Sequence, residues 1–266
     1  MKKHAALSVG LLMLLAYLFL ALFGLTFGAD EVLNLELRLE APSSSAVFGR
    51  DENGQALLQQ ILRATSLSVS ISLIVVTLSF IIGVSLGILA GQKGGKTDSV
   101  LMRGIEVLQA FPNFLLALGV LSFLGPSYFN LVLAMTLTTW TGFARLIRGE
   151  VLHLKHLDFV QASKGFGATD SFMALKHLLP QVLGIAFVHA SYTSAGVVIA
   201  EAGLSFLGVG LPVDIPSWGQ LIHRGRPYLS DASHIVLIPS LFLAGYTHEI
   251  FNTCSLASVK PVGVRQ

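Results

Sequence analysis

Residues 66–91 read SLSVSISLIVVTLSFIIGVSLGILAG (Ser66–Gly91), and the fold turns on how this stretch is read. Its first seven residues, Ser66-Leu-Ser-Val-Ser-Ile-Ser72, alternate with period two, the pattern of a strand with one polar face. The apolar run nevertheless continues from Leu67 to Gly91, 25 residues without a charge. That is far past the roughly 9–11 residues of a membrane β-strand. A helix of about 20 apolar residues spans a bilayer and satisfies its own backbone hydrogen bonds. The stretch is therefore expected to be a membrane helix whose serines serve close packing or interhelical hydrogen bonds.

Further runs free of Asp, Glu, Lys and Arg lie on both sides: Ala5–Phe27, Val107–Leu124, Tyr128–Ala144 and Val182–Ala200, followed by Ile235–Tyr246 with only 12 residues. Of the 266 residues, 53% are apolar and 12% charged, about half the charged fraction of a soluble domain, roughly 25%. The fold class expected is all-α: a polytopic integral membrane protein with about six transmembrane helices, the sixth short. The first run exceeds a signal-peptide core of about 7–15 residues and no A-x-A site follows it, so it reads as an uncleaved anchor. A net charge of +2 gives nucleic-acid binding little to work with. The one cysteine, Cys254, cannot form an intrachain disulfide.

Positive residues are retained on the cytoplasmic side of a membrane. With the N-terminus inside and six crossings, 12 of the 17 Lys and Arg residues fall inside and 5 outside (Arg38, Arg50, Arg63, Arg224 and Arg226). This places an anchor and an external segment over 1–65, a transmembrane domain over 66–250 and a cytoplasmic loop over 145–179. A second external segment covers Leu211–Ser233.

Catalytic constellations mostly fail. All seven aspartates lie outside the clear runs, and neither H-E-x-x-H nor G-x-S-x-G occurs. Gly91-Gln-Lys-Gly-Gly-Lys-Thr97 ends like a phosphate-binding loop, but it lacks the leading glycine and follows a membrane helix rather than a strand. It reads as a cytoplasmic turn. His153 and His156 lack a carboxylate or thiol partner and make a poor metal site, so no catalytic or metal residue is assigned. His189, inside a span, either lines a pathway or packs through a hydrogen-bonded imidazole. Around it Ala186, Ala190 and Ser194 repeat at the spacing that lets membrane helices approach closely. Glu201 ends its run and enters Ala-Gly-Leu-Ser-Phe-Leu-Gly-Val-Gly-Leu-Pro212, whose glycines and proline are expected to break the helix. Apolar, non-helical backbone of this kind is tolerated at membrane depth only against protein or a water-filled cavity. An external gate formed by Glu201, Ser205 and Trp218 is the expectation, with an interfacial loop as the other reading.

Two segments carry a family resemblance. Asp158-Phe-Val-Gln-Ala-Ser-Lys-Gly-Phe-Gly167, ending at His177-Leu-Leu-Pro180, resembles the E-A-A-x-x-x-G…I-x-L-P signature of permease subunits of bacterial ATP-binding-cassette (ABC) importers. Gln161 stands for the Glu, Ser163 for the second Ala and His177 for the Ile, while Ala162, Gly167, Leu179 and Pro180 match. Glu201-Ala-Gly-Leu-Ser-Phe-Leu-Gly-Val-Gly-Leu211 with Pro216-Ser-Trp-Gly219 resembles the external loop of the peptide and nickel permease group, and Phe48-Gly-Arg-Asp-Glu-Asn-Gly54 does so more loosely. The resemblance implies a type I ABC importer permease fold in the bacterial inner membrane. It also implies a homologous permease partner, two ATP-binding subunits that hold ATP and Mg, and an extracytoplasmic substrate-binding protein. No cofactor is expected on this chain, and the substrate is expected to be a peptide, or nickel. A membrane-embedded enzyme using His189 or Glu201, and a passive channel, are the competing readings.

The resemblance further implies that the loop carries a short helix seated on the ATPase. Asp158 would suit the N-terminus of that helix, Phe159 and Val160 would anchor it, Gln161 and Ala162 would continue it, and Gly167 would permit the sharp turn after it. Pro180 is expected to open the fifth span. Beyond Ala244 the chain turns polar. Twelve residues at about 1.5 Å each cover roughly 18 Å of a hydrocarbon core about 30 Å thick. Residues 251–266 are therefore expected to be an atypical tail, as from a shifted reading frame or a truncated copy, with a genuine alternative ending in which Ile250 and Phe251 complete the span as the other reading.

Overall fold

The computed structural model describes residues 15–26 and 33–258. Lys2, Lys3, Lys260, Arg265 and the first part of the Ala5–Phe27 run lie outside the described residues. Among those described the structure is helical, and its only pairing of extended backbone is an isolated antiparallel bridge, Arg50 to Ala56. In chain order the helices are α1 (Leu15–Gly24), α2 (Leu57–Lys93), α3 (Gly95–Gln109), α4 (Asn113–Leu124), α5 (Tyr128–Leu154), α6 (Asp158–Gly165), α7 (Asp170–Phe172), α8 (Leu179–Phe206), α9 (Trp218–Gly225) and α10 (His234–Ser258). A π-helical turn, Met173–Leu178, joins α7 to α8.

The strand-like serine pattern lies within the 37-residue α2, as the length of its apolar run requires. By length and composition, α2, the continuous run Asp170–Phe206 and His234–Thr253 can each cross a membrane. The pair α3 and α4 can do so as one broken span, bent by 79°. α1 lies within Ala5–Phe27 and α5 begins with Tyr128–Ala144 and continues to Leu154, but neither counts with these, so the described residues show three apolar helices of membrane-spanning length, or four with the broken pair, where about six were expected.

Several expectations are corrected. Val107–Leu124 is not one straight helix: it breaks between Gln109 and Asn113, because Pro112 lacks an N–H and disfavours helical geometry at Phe111 before it. Pro180 is the second residue of α8, but the helical backbone is continuous from Asp170 through the π turn, so the span does not begin at the proline. A mid-helix proline clashes with the carbonyl four residues back, and the wider π turn immediately before it changes the hydrogen-bond register, with the Leu179 N–H donating to Ala174 O. The fifth span does not end at Glu201 but continues to Phe206 before Gly208 turns at φ 79°. The last helix is 25 residues long, about 38 Å at 1.5 Å per residue, so the sixth span is not short and the helix takes in residues expected to lie in an atypical tail.

The described residues form two compact units: 15–26 and 33–73 with 121–131 and 194–258, and 74–120 with 132–193. In the first unit, residues 33–56 fold into a compact loop around Asp51. Its Oδ1 accepts from the N–H groups of Asn53 (2.9 Å) and Gln55 (2.8 Å), and its Oδ2 from Gln60 Nε2 (2.6 Å). Arg224 of α9 closes this network, with Nη2 3.6 Å from Asp51 Oδ2 and Nε 3.5 Å from Glu52 Oε1. In the second unit, Val84 and Ile88 of α2, Ile147, Val151 and Leu154 of α5, Leu178 of the π turn, and Val182 and Ala186 of α8 make one buried apolar cluster.

Candidate functional site

In the second unit that apolar cluster is the base for α6. Leu157 packs against it while its extended backbone precedes the first turn of α6. Asp158 lies in the first turn and Lys164 in the last, each with the sign that complements the helix dipole. Val160 points inward and is 4% exposed, fixing one face of the helix. The other face shows Phe159, and the segment beyond it shows Phe166, at 93% exposure, and Phe172. Phe159, Ala162, Ser163, Phe166, Gly167 and Phe172 line an open groove of about 660 Å³.

The end of α6 is built by Gly167. The Gly167 N–H donates to Lys164 O (3.0 Å) and the Ala168 N–H to Ser163 O (3.2 Å), the paired bonds of a Schellman motif with its left-handed residue at φ 85°. Thr169 Oγ1 then accepts from the Phe172 N–H at 3.3 Å and caps the next helical turn. The six predicted residues Asp158, Phe159, Val160, Gln161, Ala162 and Gly167 thus lie on α6 and its terminal turn. Gln161 Nε2 donates to His156 O at 3.3 Å. Pro180, 13 positions past Gly167, lies in α8 and outside this surface. The supposed long loop 145–179 is mostly helix, since α5, α6, α7 and the π turn occupy most of it.

In the first unit, Glu201, Ser205 and Trp218 are fully buried rather than lining a surface. Ser68 Oγ donates to Glu201 Oε2 (3.0 Å) and Ser205 Oγ to Oε1 (2.8 Å), with Ser217 as a third hydroxyl partner. These bonds join α2, α8 and the residue that caps α9. Gly219 lets α9 approach α8 so closely that a β-carbon there would lie 2.8 Å from the Ala202 carbonyl carbon. The Trp218 ring meets Tyr17 edge-on at 6.3 Å and lies 5.5 Å from Tyr246. These three predicted residues therefore lie together in one buried polar and aromatic cluster.

Removing the carboxylate of Glu201 should orphan buried hydroxyls, which costs about 1–3 kcal/mol for each group left unsatisfied. Glu201→Ala is expected to lower the thermal midpoint of the purified protein by several degrees, and Glu201→Gln, which keeps an accepting oxygen, by less. An unchanged midpoint in Glu201→Ala would deny the cluster a stabilising role.

His189 lies in the second unit, half-buried, edge-on to Phe143 with ring centroids 4.6 Å apart. Its Nε2 is 3.4 Å from where a β-carbon on Gly142 would stand. Among the described residues no three His, Cys, Asp or Glu side chains gather as a metal site. Gly91–Thr97 joins two helices, with Gly94 and Gly95 at φ 64° and 56° making the turn.

One feature escaped the sequence reading. Gly83, Gly87 and Gly91 recur every fourth residue in α2, and each lies against the backbone or side chains of α5. The G-x-x-x-G-x-x-x-G spacing was the available signal.

Residues 83–251 match the family described as binding-protein-dependent transport system inner membrane component. The chain is similar to the glutathione transport system permease protein GsiD of Pectobacterium atrosepticum, at 33% identity over 91% of this chain and 81% of the relative. It is also similar to two Bacillus subtilis proteins. The dipeptide transport system permease protein DppC is 33% identical over 95% of this chain and 79% of its own length, and the oligopeptide transport system permease protein OppC is 32% identical over 91% and 80%. With apolar helices able to span a bilayer and a match over most of its length, the chain is a multi-pass inner-membrane permease, a transport subunit rather than an enzyme, and belongs to the family of inner membrane components of binding-protein-dependent transport systems.

Proposed function

We propose that this chain conducts di- or oligopeptides across the inner membrane and receives the work of ATP hydrolysis through α6. The observation that carries this reading is the division of α6 and its flanks: Val160 is fastened inward while Phe159, Phe166 and Phe172 face outward. Exposed aromatic side chains gathered on a short helix and the segment that follows it offer a partner both anchor area and rigidity. The partner is an ATPase subunit, and the assembly holds two of these, a homologous permease and a substrate-binding protein. Peptide is the substrate class because the similar proteins are named for dipeptides, oligopeptides and glutathione, itself a peptide. ATP-loaded vesicles containing the complex should accumulate a labelled dipeptide only when its binding protein is present. Uptake without ATP, or none for any peptide, would overturn the assignment.

The N-terminus is cytoplasmic in this reading, with α6 inside and 211–233 outside, as the 12-to-5 distribution of Lys and Arg requires. Ser217 is buried, so the exposed Asp214 is the better reporter of the outer segment. In a Cys254→Ser background, Asp214→Cys should react with an impermeant thiol reagent on intact spheroplasts, and Lys164→Cys only after lysis. The opposite pattern would invert the topology.

A further inference from the structure

Two positions at which the chain departs from the permease signature meet in space. Ser163, on α6, and His177, in the π turn below α8, share a hydrogen bond of 3.1 Å between Oγ and Nε2. The imidazole also lies 6.0 Å from the Phe159 ring of α6 and 5.6 Å, edge-on, from the Phe172 ring of α7. His177 thus touches α6 twice and α7 once, while its own backbone belongs to the turn that continues into α8. Both side chains are partly buried. Val160 fastens the inward face of α6 through apolar contact, which resists separation but has little directional preference. A hydrogen bond supplies direction, since it weakens steeply as its angle departs from linearity.

We propose that the Ser163–His177 pair is a polar clasp that sets the orientation of α6 on the base of α8, so that displacement of α6 is handed to the membrane helix rather than absorbed as sliding. His177 is then a positioning residue for coupling, and Ser163 its specific partner. The proposal rests on α6 being the ATPase-facing element. It makes a distinctive demand, because losing one member leaves the other's polar group partly buried and unpaired, whereas replacing both with apolar groups is close to neutral.

The test is a double-mutant cycle in the reconstituted complex, reading peptide-stimulated ATPase activity, peptide transported per ATP, basal ATPase activity and recovery of assembled complex. Ser163→Ala and His177→Ile are each expected to lower stimulation about three- to tenfold, with recovery of the assembled complex unchanged. The double variant Ser163→Ala/His177→Ile, which restores apolar residues at both positions, should return to within about twofold of the natural chain. His177→Gln, which retains a hydrogen-bonding head, should lose less than His177→Ile.

Single-variant losses that simply multiply in the double variant would overturn the clasp. Should a single variant fail to assemble, the same cycle is read on recovery, where rescue by the double supports the clasp and additive loss refutes it. Phe159→Asp separates the two levels of argument. If Phe159→Asp uncouples the complex while both single clasp variants behave normally, the clasp falls and the coupling role of α6 stands. If Phe159→Asp is also silent, the coupling role falls with it.

Discussion

Gly83→Leu should leave no recoverable permease. A β-carbon at Gly83 would stand 2.6 Å from the Trp140 carbonyl oxygen and 3.0 Å from the Ala144 nitrogen, and it would overlap Phe143 Cβ. Two of these three obstacles are α5 backbone atoms, which cannot rotate away as a flexible side-chain tip can. One turn on, a β-carbon at Gly87 would lie 2.8 Å from the Ala144 carbonyl oxygen and 2.9 Å from Ile147 Cβ, and one at Gly91 would lie 2.7 Å from Val151 Cβ. Lipid tails are as apolar as leucine, so helices in a membrane associate through close packing of small residues rather than through water exclusion. Lifting α2 off α5 therefore removes the contact that supports the base of α6. Overpacking a buried site costs about 1–3 kcal/mol and occasionally more, and here the backbone obstacles put the variant at the upper end. Gly83→Ala should already lose most of the folded protein on size-exclusion chromatography. Gly149→Ala, where no atom lies within 4 Å of the added carbon, should run as the natural chain does. A Gly83→Leu complex of normal yield and thermal midpoint would show that α2 and α5 are not joined as described.

The helix content was legible because apolar length is a one-dimensional property: 25 uncharged residues after Ser66 outweigh a short period-two pattern. The turn at Gly167 was legible for a similar reason, since the left-handed residue of a Schellman motif favours glycine wherever the helix happens to pack. What stayed hidden depends on partners distant in sequence. Glu201 could be read as the end of a helix because its hydroxyl donors include Ser68, 133 positions earlier. With the carboxylate satisfied, α8 continues to Phe206 through Gly203. The break at Pro112 was visible in the residue itself, but a search for uncharged runs is blind to a missing N–H. α10 is held within its apolar run by tertiary contacts, since Tyr17 donates to Phe242 O at 3.0 Å and Tyr246 packs against both Tyr17 and Trp218, and beyond that run Ile250 is again buried. Within the helix, Thr247 Oγ1 turns back to Leu243 O at 3.0 Å and satisfies its own polarity.

Gly167→Glu should insert and assemble normally yet lose peptide-stimulated ATPase activity at least tenfold. Beyond the adjacent residues no atom lies within 4 Å of the β-carbon this variant would add, so the defect is not one of crowding at that carbon. It arises from the backbone: φ is 85°, and a residue bearing a β-carbon in left-handed geometry loses roughly 1–2 kcal/mol. The chain can relieve that strain only by releasing the bonds to Lys164 O and Ser163 O, which define where α6 ends and where Thr169 begins the next turn. A carboxylate just past the C-terminus of α6 also opposes the helix dipole. Since about 1.4 kcal/mol corresponds to a factor of ten, strain of this size is enough to depopulate the geometry that presents Phe159 and Phe166. The buried cluster beneath α6 has no need of Gly167, so fold and insertion should survive. Asparagine tolerates left-handed geometry better than glutamate does; Gly167→Asn should therefore fall between the natural chain and Gly167→Glu. Full stimulation in a reconstituted Gly167→Glu complex would sink the assignment of α6 as the coupling element, because the variant that most disturbs its terminal turn would then have left its output untouched.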